Sequence, residues 1–404
     1  MLVSTEATEI NKMKNEHRKI GSELELFSLS DYASGMVSWY PKGYAIYRKV
    51  EAYLREIQEQ YHYREIRSPI MANSQLWAKS GHLEKFKDDM FLLQSDGQEQ
   101  ALKPMNCPFH IEMFNQLCQS YRQLPLRLSE FGLCHRNEAS GALNGLLRLR
   151  SFNQDDGHVF CREQQIQSEL ISFVEMLYRV YGKFGFDADS IEVSISLRAS
   201  NKAGSEDAWD RAEQYLQDGL KQLNIPFELQ PNEGAFYAPK VEFALKDSLG
   251  RKWQCGTFQL DFVLAQRMDA TFINEEGQAE YPVILHRAVL GSLERFIAIL
   301  LEHYQGKLPL WLNPNAISVL PISDSHIAQA DIVYDRLKNL GYQVYIDKSQ
   351  DSVGYKLRQH FKQKGLYCLI IGDEEIEQGK VTVRQKKSNA KMSLQDFIDS
   401  LEAA

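Results

Sequence analysis

The sequence has few of the features that mark secreted or membrane-bound proteins. Its 404 residues include only six cysteines, scattered without the paired spacing of a disulfide framework. Unpaired cysteines in a chain of this size are typical of a reducing compartment. No apolar run approaches the roughly 20 residues that a membrane span needs, and the stretch MLVSTEATEINKMKNEHRK lacks the apolar core of a signal peptide. We therefore expect a cytoplasmic protein with no membrane segment, with the matrix of an organelle as the alternative location.

The chain also lacks a strong charge of either sign, internal repeats and low-complexity tracts. Its 46 Lys and Arg against 54 Asp and Glu give a net charge of −8 at pH 7. That total does not point to nucleic acid, although an RNA partner needs only a local basic face. Arg384, Lys386, Lys387 and Lys391 do cluster near the C-terminus. Either a solvated surface face or an RNA-facing patch would explain them.

The hydrophobic pattern predicts two domains. Residues 1–310 combine alternating strand patterns with amphipathic helices, which predicts an α+β domain whose mainly antiparallel sheet has flanking helices. A boundary falls near QGKLPLWLNPNA, where two prolines and a glycine interrupt the pattern. Strand and helix patterns then alternate through residues 311–404, and two of the helices end at glycine. This second part is predicted to be a small α/β domain.

Three local patterns in the first domain are definite enough to test. A polar first helix is predicted over 14–26, and a helix over 43–61 is followed by a strand, YREIRSPIM, that ends at Pro69. Residues 125–160 contain two strand-like runs joined by a loop rich in Gly, Ser and Asn. Such a pattern is typical of an antiparallel pair with a long connection.

Several arginines are arranged as a nucleotide site would need them. Arg136 and Glu138 end one strand-like run, Arg148 lies four residues before Phe152, and Arg295 is at the start of an apolar helix. A guanidinium group presents a fork of donors that suits a triphosphate, and an aromatic ring offers a stacking face. Each arginine alone could be an exposed ion-pair partner of little consequence. Only the group indicates nucleotide binding.

Cys107, in the segment ALKPMNCPFH, allows three interpretations from the residues alone. It could be a buried small hydrophobe, half of a short metal knuckle, or one ligand of a site assembled from distant parts of the chain. Spacing does not decide among them, because His110 and His135 are as eligible as more distant histidines.

These segments together resemble the class II aminoacyl-tRNA synthetases. That class has a helix and strand ending in proline, here IRSPIM; an Arg-x-Glu strand, a loop and Arg-x-x-x-Phe, here Arg136 to Phe152; and a glycine before a helix with Glu-Arg, here VLGSLERF. Within the class the chain resembles the threonyl-tRNA synthetases from about Glu16 to its C-terminus. The similar segments include YPKGY, LWAKSGH, LKPMNCP, FGLCHRNEASGAL, FNQDDGHVF, EGAFYAPKVEF, WQCGTFQLDF and HRAVLGSLERF.

The resemblance implies a catalytic zinc ion bound by Cys107, His158 and His286. One thiolate and two imidazoles suit Zn²⁺, and three protein ligands leave positions open for substrate. An apolar pocket separates threonine from its isostere valine by only about 1 to 3 kcal/mol, whereas a metal that binds the hydroxyl rejects valine more strongly. The threonine contacts that the resemblance implies are Met105, Arg136, Gln154, Asp156, Tyr237 and Gln259.

The resemblance also implies how ATP and tRNA are used. The threonine carboxylate would attack the α-phosphorus of ATP, which Mg²⁺ accompanies. Arg136 and Arg295 would act in this step, and His82, through its near-neutral pKa, would be the base for transfer to tRNA; the alternative is a surface histidine beside a glycine. The implied ATP-binding residues are Arg136, Glu138, Arg148, Phe152, Lys240, Gln254, Ser292 and Arg295.

The second domain resembles the anticodon-binding domain of the same family. Glu377, Arg384 and Lys386 match its anticodon contacts, although Lys386 replaces an arginine and loses the bidentate fork. Other departures from the family pattern occur at Phe109, Ala139, Asn144 and Ala238. Phe109 replaces a glycine beside the proposed thiolate, so we expect its ring to turn away or to narrow the site.

The resemblance predicts a threonine–tRNA ligase, expected as a homodimer, whose partners are ATP, L-threonine and tRNA(Thr). Most bacterial members also carry an editing domain with a His-x-x-x-His pair that hydrolyses seryl-tRNA. None of the ten histidines here lie four apart, so we expect no editing in cis, and a protein that edits in trans is a further candidate partner.

Two other functions remain as alternatives at this point. A catalytically silent paralogue that binds RNA would be expected to lose motif arginines or zinc ligands, and all are present. A zinc hydrolase would need a carboxylate beside an activated water, a part open to Asp156, but the arginines would then have no purpose.

Overall fold

The structure is a computed structural model that describes residues 16–200, 202–246 and 250–402. They form two compact units. The larger consists of Leu29–Val37 and Val50–Ile299, and the smaller comprises the remaining described residues. The domain boundary predicted near residue 310 stays a prediction. The first helix, predicted over 14–26, is found at His17–Glu23, while residues 14 and 15 lie outside the described residues.

The described helices are α1 (His17–Glu23), α2 (Pro41–Gln60), α3 (Ser74–Ser80), α4 (His82–Phe86), α5 (Cys107–Leu117), α6 (Ile166–Lys183), α7 (Glu206–Gln222), α8 (Leu264–Arg267), α9 (Leu293–His303), α10 (Ile327–Asn339), α11 (Val353–Lys362), α12 (Asp373–Gln378) and α13 (Leu394–Glu402). The strands are β1 (Phe27–Leu29), β2 (Val37–Trp39), β3 (Arg64–Glu65), β4 (Met71–Asn73), β5 (Leu92–Ser95), β6 (Gln98–Leu102), β7 (Leu126–His135), β8 (Ser151–Cys161), β9 (Ile191–Ser196), β10 (Glu228–Gln230), β11 (Lys240–Lys246), β12 (Lys252–Asp261), β13 (Phe272–Ile273), β14 (Ala279–Glu280), β15 (Val283–Ser292), β16 (Ile317–Pro321), β17 (Val344–Ile346), β18 (Tyr367–Ile371), β19 (Val381–Arg384) and β20 (Asn389–Met392).

The larger unit is built on an eight-stranded sheet in the order β10-β9-β11-β12-β15-β8-β7-β3. Its six inner strands are antiparallel, and only the two edge strands pair in parallel. The two runs predicted between 125 and 160 are β7 and β8, paired along ten residues. The strand predicted in YREIRSPIM is much shorter than expected, because only Arg64 and Glu65 pair with β7.

Helix α6 covers one face of this sheet and supplies much of the core. Its apolar residues recur at helical spacing, so one side of the helix is buried. The Phe173 ring lies 6.0 Å from that of Phe243 on β11 and 5.2 Å from that of Phe258 on β12. The Tyr181 hydroxyl donates to the Val289 carbonyl on β15 at 2.7 Å. The helix therefore fixes the strands whose other face carries the candidate site.

The smaller unit contains a five-stranded sheet in the order β17-β16-β18-β19-β20. The first three strands are parallel and the last two antiparallel. The alternation of strands and helices predicted after residue 311 is present, although α12 and β20 were not predicted. The predicted fold class, an α+β antiparallel core followed by a small α/β domain, is confirmed. In the part of the chain that the structure describes, no helix has the length and apolar character of a membrane span.

Candidate active site

One face of strand β8 carries four of the residues predicted from the sequence. Successive side chains of a strand point to opposite faces, so alternate positions share a side: Phe152, Gln154, Asp156 and His158. The strand register extends this row across the sheet. His158 is paired with His286 on β15, and His286 with Gln259 on β12. Residues more than a hundred positions apart thus become neighbours.

The three predicted metal ligands converge beside this row. Cys107 is the first residue of α5, while His158 and His286 come from adjacent strands. One ligating atom of each lies within 4.8 Å of those of the other two, and all three residues are buried. The structure brings together a thiol and two imidazoles with the spacing that a single cation requires.

The hydrogen bonds of the two histidines leave one nitrogen of each ring for such a cation. His158 Nδ1 lies 2.8 Å from His110 Nδ1, and His286 Nε2 lies 2.9 Å from Asp261 Oδ2. His158 Nε2 and His286 Nδ1 are buried and have no hydrogen-bond partner among the described residues. Because a buried unpaired nitrogen is costly, these two atoms fit a metal ligand set. With the Cys107 sulfur, the donor set is one that zinc prefers.

The pKa shifts of His158 and Cys107 agree with their use as metal ligands. Burial, with the nearby His110, His286 and Arg287, lowers the pKa of His158 well below its usual range, so this imidazole is neutral as a metal ligand must be. Burial also raises the pKa of the Cys107 thiol well above its usual value, and Asp156 and Asp261 add to the effect. A cation is therefore needed to hold this sulfur as a thiolate.

Two histidines that spacing alone left as candidate ligands lie outside the ligand group. His110 has one nitrogen on His158 and the other 3.1 Å from Glu130 Oε2, so both are engaged. His135 Nε2 lies 3.2 Å from Ser151 Oγ. Neither residue belongs to the group of converging ligand atoms.

Three of the predicted threonine contacts, Asp156, Tyr237 and Gln259, lie beside the ligand group. Tyr237 donates from its hydroxyl to Gln259 Oε1 at 2.8 Å, and its ring centroid lies 5.0 Å from that of His286. Asp156 is buried, and its Oδ2 accepts a hydrogen bond from Asn106 Nδ2 at 2.9 Å. Asn106 was missed from the sequence, although a lone polar residue between Met105 and Cys107 is a signal for such a role.

Most of the predicted ATP residues line one pocket of the larger unit. They are Arg136, Glu138, Arg148, Phe152, Ser292 and Arg295. Gln154 lines the same pocket, and Asp156 and His158 follow it on the same strand face, so the pocket continues towards the ligand group. The Arg136 guanidinium lies 5.2 Å from the centre of the Phe152 ring, within cation–π distance.

The turn from β15 into α9 presents Ser292 and Arg295 to this pocket. The Asp155 carboxylate accepts the backbone N–H groups of residues 289, 290 and 291 at 2.7 to 3.0 Å. Gly291 has φ +71°, and a Cβ there would lie 2.8 Å from Arg295 Nη2. Only glycine therefore leaves room for the guanidinium. Asp155 was missed from the sequence, although its neighbour Asp156 was recognised.

Four of the predicted ATP residues form ion pairs or hydrogen bonds with other side chains of this protein. Arg148 and Glu138 form an ion pair at 2.8 Å on the rim of the pocket. Lys240 and Gln254 are not among the residues that line the pocket, and both donate to the Glu242 carboxylate. Lys240 is nevertheless paired in register with Gln259, next to the ligand row.

The surroundings of His82 differ from those that the sequence suggested. His82 is completely buried, with rings of Trp77, Phe86 and Phe236 around it, so the surface alternative is wrong. Burial lowers the pKa of His82 to about 3, and the nearby His286, Arg136 and Arg267 add to the effect. This value lies below the near-neutral pKa expected from the sequence, because the local sequence does not reveal that aromatic rings enclose this short helix.

Phe109, the departure of most concern, turns away from the ligand group. Its ring packs in a small core cluster with Trp77, Met90 and Ala101, and the centroids of the Trp77 and Phe109 rings are 5.9 Å apart. Ala238 is likewise fully buried in a core cluster. Both larger side chains are thus accommodated by packing.

In the smaller unit, the predicted anticodon residues differ in their surroundings. Lys386 lines a basic pocket with Lys307, Lys364 and Lys387. Lys391, by contrast, is ion-paired with Glu374 at 2.6 Å and Glu375 at 3.2 Å, so part of the basic cluster seen in the sequence is neutralised. Glu377 is exposed on α12, and Arg384 ends β19.

An antiparallel sheet with an arginine-lined pocket and a separate α/β domain is the plan of a class II synthetase, and comparisons with known proteins agree. A family model described as the tRNA synthetase class II core domain (G, H, P, S and T) matches residues 86–304. A second, described as an anticodon binding domain, matches residues 316–404. The chain belongs to the class II aminoacyl-tRNA synthetase family.

The particular branch is that of the threonyl-tRNA synthetases. A threonine–tRNA ligase of Teredinibacter turnerae is 48% identical over 386 residues, which are 95% of this chain. One of Nitrosomonas eutropha is 48% identical over 387 residues, also 95% of this chain. The chain spans about 60% of the length of these curated relatives.

A solved structure from the same branch has the same fold along nearly the whole chain. It is described as the RNA binding domain of threonyl-tRNA synthetase from Cryptosporidium parvum Iowa II. It superposes with a TM-score of 0.92 at 38% sequence identity, covering 96% of this chain and 98% of the other.

Proposed function

We propose that this chain activates L-threonine with ATP and transfers it to the 3′ end of tRNA(Thr). One observation carries the proposal: the ligating atoms of Cys107, His158 and His286 converge within 4.8 Å in a class II core. Gln154 and Asp156 precede His158 on the same strand face, between this group and the arginine-lined pocket. A metal-ligand group at that position suits an amino acid that carries a hydroxyl.

The proposed resident metal is one zinc ion. When bound, it would supply a Lewis acid for the amino group and side-chain hydroxyl of threonine, a contact that valine cannot make. Asp156 would accept hydrogen bonds from the same two groups, held in place by Asn106. The rest of the proposed pocket comprises Met105, Arg136, Gln154, Tyr237 and Gln259.

In the proposed activation step, the threonine carboxylate attacks the α-phosphorus of ATP and pyrophosphate leaves. Negative charge shifts among the phosphoryl oxygens, so positioning and cationic stabilisation dominate the catalysis. Arg136 would bridge the α-phosphate and threonine, and Arg148 would hold the outer phosphates with Mg²⁺. Adenine would lie between Phe152 and Arg295, with its amino group on Glu138. Lys240, Gln254 and Ser292 would complete the groove.

For Arg148 to reach phosphate, its ion pair with Glu138 has to open. The Arg148 side chain is 57% exposed and that of Glu138 is 18% exposed, and an ion pair that is open to solvent at its arginine contributes only about 0 to 1 kcal/mol. The pair is therefore a small barrier, and it keeps the two side chains near their proposed positions.

In the proposed transfer step, a hydroxyl of the terminal adenosine of tRNA attacks the adenylate carbonyl, and AMP leaves. The role of His82 as the base stays a prediction from the resemblance. A pKa of about 3 makes it a weak base at neutral pH. His82→Asn should slow transfer while leaving threonine activation intact if the histidine acts in this step.

Recognition of the anticodon by Glu377, Arg384 and Lys386 is part of the same proposal, as are a homodimer and a cytoplasmic location. We also propose that this chain does not clear seryl-tRNA itself, since its 404 residues contain no His-x-x-x-His pair. Serine carries the hydroxyl that the metal would bind, so editing outside these 404 residues, with a trans-editing protein as one candidate, is the proposed safeguard.

The test is amino-acid-dependent pyrophosphate exchange on the zinc-loaded protein with threonine, serine and valine, followed by charging of tRNA(Thr) with serine. We expect exchange with threonine, weaker exchange with serine, none with valine, and stable seryl-tRNA. Exchange with none of the three, in a protein that still binds tRNA, would replace this proposal with the silent RNA-binding paralogue.

A further inference from the structure

A chain of buried hydrogen bonds runs behind the proposed metal ligand His158. His158 Nδ1 lies 2.8 Å from His110 Nδ1, and His110 Nε2 lies 3.1 Å from Glu130 Oε2. All three side chains are buried: His158 and His110 are 0% exposed, and Glu130 is 3% exposed. Neither His110 nor Glu130 is among the metal ligands, substrate contacts or catalytic residues proposed above.

Glu130, at the far end of this row of hydrogen bonds, is held by Ser68 and Lys103. Its Oε1 accepts the backbone N–H of Ser68 at 2.9 Å and the Lys103 ammonium at 3.1 Å, and its Oε2 accepts the Ser68 hydroxyl at 2.7 Å. Burial works to raise the pKa of Glu130, but His110, Ser68 and Lys103 outweigh it and lower the pKa to about 2. Glu130 is therefore an ionised carboxylate, which only accepts hydrogen bonds.

The contacts of these three side chains agree with one arrangement of protons. Glu130 Oε2 accepts, so His110 Nε2 carries a proton towards it. His158 Nε2 is the buried nitrogen that has no hydrogen-bond partner among the described residues, and as a metal ligand it carries no proton. His158 Nδ1 then carries the ring proton and donates it to His110 Nδ1.

We propose that His110, fixed by Glu130, is a positioning residue that holds His158 in the tautomer and ring orientation needed for metal binding. This proposal rests on the proposed zinc site. His286 has a simpler support, because its Nε2 contacts the Asp261 carboxylate directly. Outer partners of this kind typically account for 10- to 100-fold in metal affinity. For His158 the carboxylate acts through an interposed imidazole, so the supporting unit has two residues.

Two substitutions of His110 separate its two contacts. The amide of glutamine reaches roughly to the place of Nε2, so His110→Gln keeps a partner for Glu130 but leaves His158 Nδ1 without an acceptor. The amide of asparagine lies near the place of Nδ1, so His110→Asn keeps that acceptor and loses the link to Glu130. His326→Gln is the control, because His326 is a buried histidine that contacts Asp373 in the smaller unit.

The measurement is the zinc dissociation constant of the full chain, obtained by competition with a chromogenic chelator. We expect His110→Gln to bind zinc about 10- to 100-fold more weakly than wild type. His110→Asn, which loses only the link to Glu130, should be weakened less, and His326→Gln should stay within a few-fold of wild type. Wild-type affinity in His110→Gln overturns the proposal. Equal weakening in both His110 variants also overturns it, since loss of packing would then explain the effect.

The wild-type protein provides a second readout that does not depend on how well a variant folds. Nitrogen-15 NMR of histidine-labelled, zinc-loaded protein reports the tautomer of each ring. We expect the proton on Nδ1 of His158 and on Nε2 of His110, and the opposite assignment at either ring overturns the proposal. Wild-type protein that binds no zinc at one equivalent is a distinct result, because it removes the proposed metal site itself.

Discussion

The side-chain amide of Asn106 donates a hydrogen bond to the Asp156 carboxylate, with Nδ2 and Oδ2 2.9 Å apart. The second oxygen of Asp156 accepts the backbone N–H of Gly157 at 2.9 Å. The carboxylate proposed to receive the threonine hydroxyl is thus held from both sides before substrate arrives, as preorganised recognition requires.

We predict that Asn106→Leu weakens threonine binding selectively. A hydrogen bond to a charged group contributes about 1.5 to 3 kcal/mol, so the KM for threonine should rise roughly 10- to 100-fold. The KM for ATP in the same pyrophosphate-exchange assay should change little. Asn115→Leu, at an exposed position of helix α5, which Asn106 directly precedes, is the matched control. An equal rise in both KM values would show general damage instead.

Gly132 provides an independent test of the Asn106 position. A Cβ at residue 132 would lie 2.3 Å from Asn106 Oδ1 and 2.4 Å from its Nδ2, so Gly132→Ala must displace this amide. We expect a loss of about 1 to 3 kcal/mol in stability together with a raised KM for threonine. In Gly141→Ala the new methyl group meets nothing within 4 Å. That variant should behave as wild type in thermal unfolding and in pyrophosphate exchange.

The sequence was informative wherever a local pattern decides the structure. The alternating runs in 125–160 became β7 and β8 because a period of two is intrinsic to a strand with one buried face. The Cys107, His158 and His286 group could not be derived in this way. Sheet register joins His158 to His286, and the N-terminus of α5 delivers the thiol. The choice of these three residues as ligands came from the family resemblance, because their spacing in the sequence did not identify them.

The sequence also failed to reveal which polar residues are buried. His110 and His158 are equal in the sequence, yet His110 has both ring nitrogens engaged while His158 keeps one for the ligand group. His82, beside a glycine, reads as a surface residue and is in fact enclosed by aromatic rings. Such distinctions depend on tertiary packing and are absent from a local pattern.

We predict that Cys107→Ala loses stoichiometric zinc and threonine activation. The two histidines would remain, but a site reduced to two ligands does not hold zinc against a chelator at equal concentration. Metal content by mass spectrometry and pyrophosphate exchange are the measurements. Cys118→Ala, at another buried cysteine that caps the end of the same helix, should keep both properties. Retention of one zinc equivalent in Cys107→Ala would remove Cys107 from the ligand set.

We predict that Lys386→Ala raises the KM for tRNA several-fold and leaves pyrophosphate exchange unchanged. The residue lies in the basic pocket of the smaller unit, where its charge is available to RNA. Lys391→Ala is the control. Since Lys391 is already paired with Glu374 and Glu375, its removal should matter less. Aminoacylation at varied tRNA concentration measures both, and identical effects of the two variants would argue against a specific role for Lys386.

The last prediction concerns the pH dependence of the smaller unit. His360 on α11 is largely enclosed, with Gly365 so close that a Cβ there would lie 2.1 Å from its ring. Burial lowers the pKa of His360 to about 4. In the unfolded chain its pKa is about 6.5, so below that value the unfolded state binds a proton that the native state does not. The unfolding free energy of this unit therefore has its full value above pH 6.5 and decreases as the pH falls towards 4.

We therefore expect the unfolding free energy of this unit to fall by about 2 kcal/mol between pH 6.5 and pH 4.5. His360→Phe removes the titrating group, so its stability should vary less across that interval. Amide hydrogen exchange of β18 measures the local free energy of opening at each pH. Because other groups titrate in both proteins alike, the difference between wild type and variant isolates His360. Parallel curves would mean that this imidazole is protonated in the native unit as readily as in the unfolded chain.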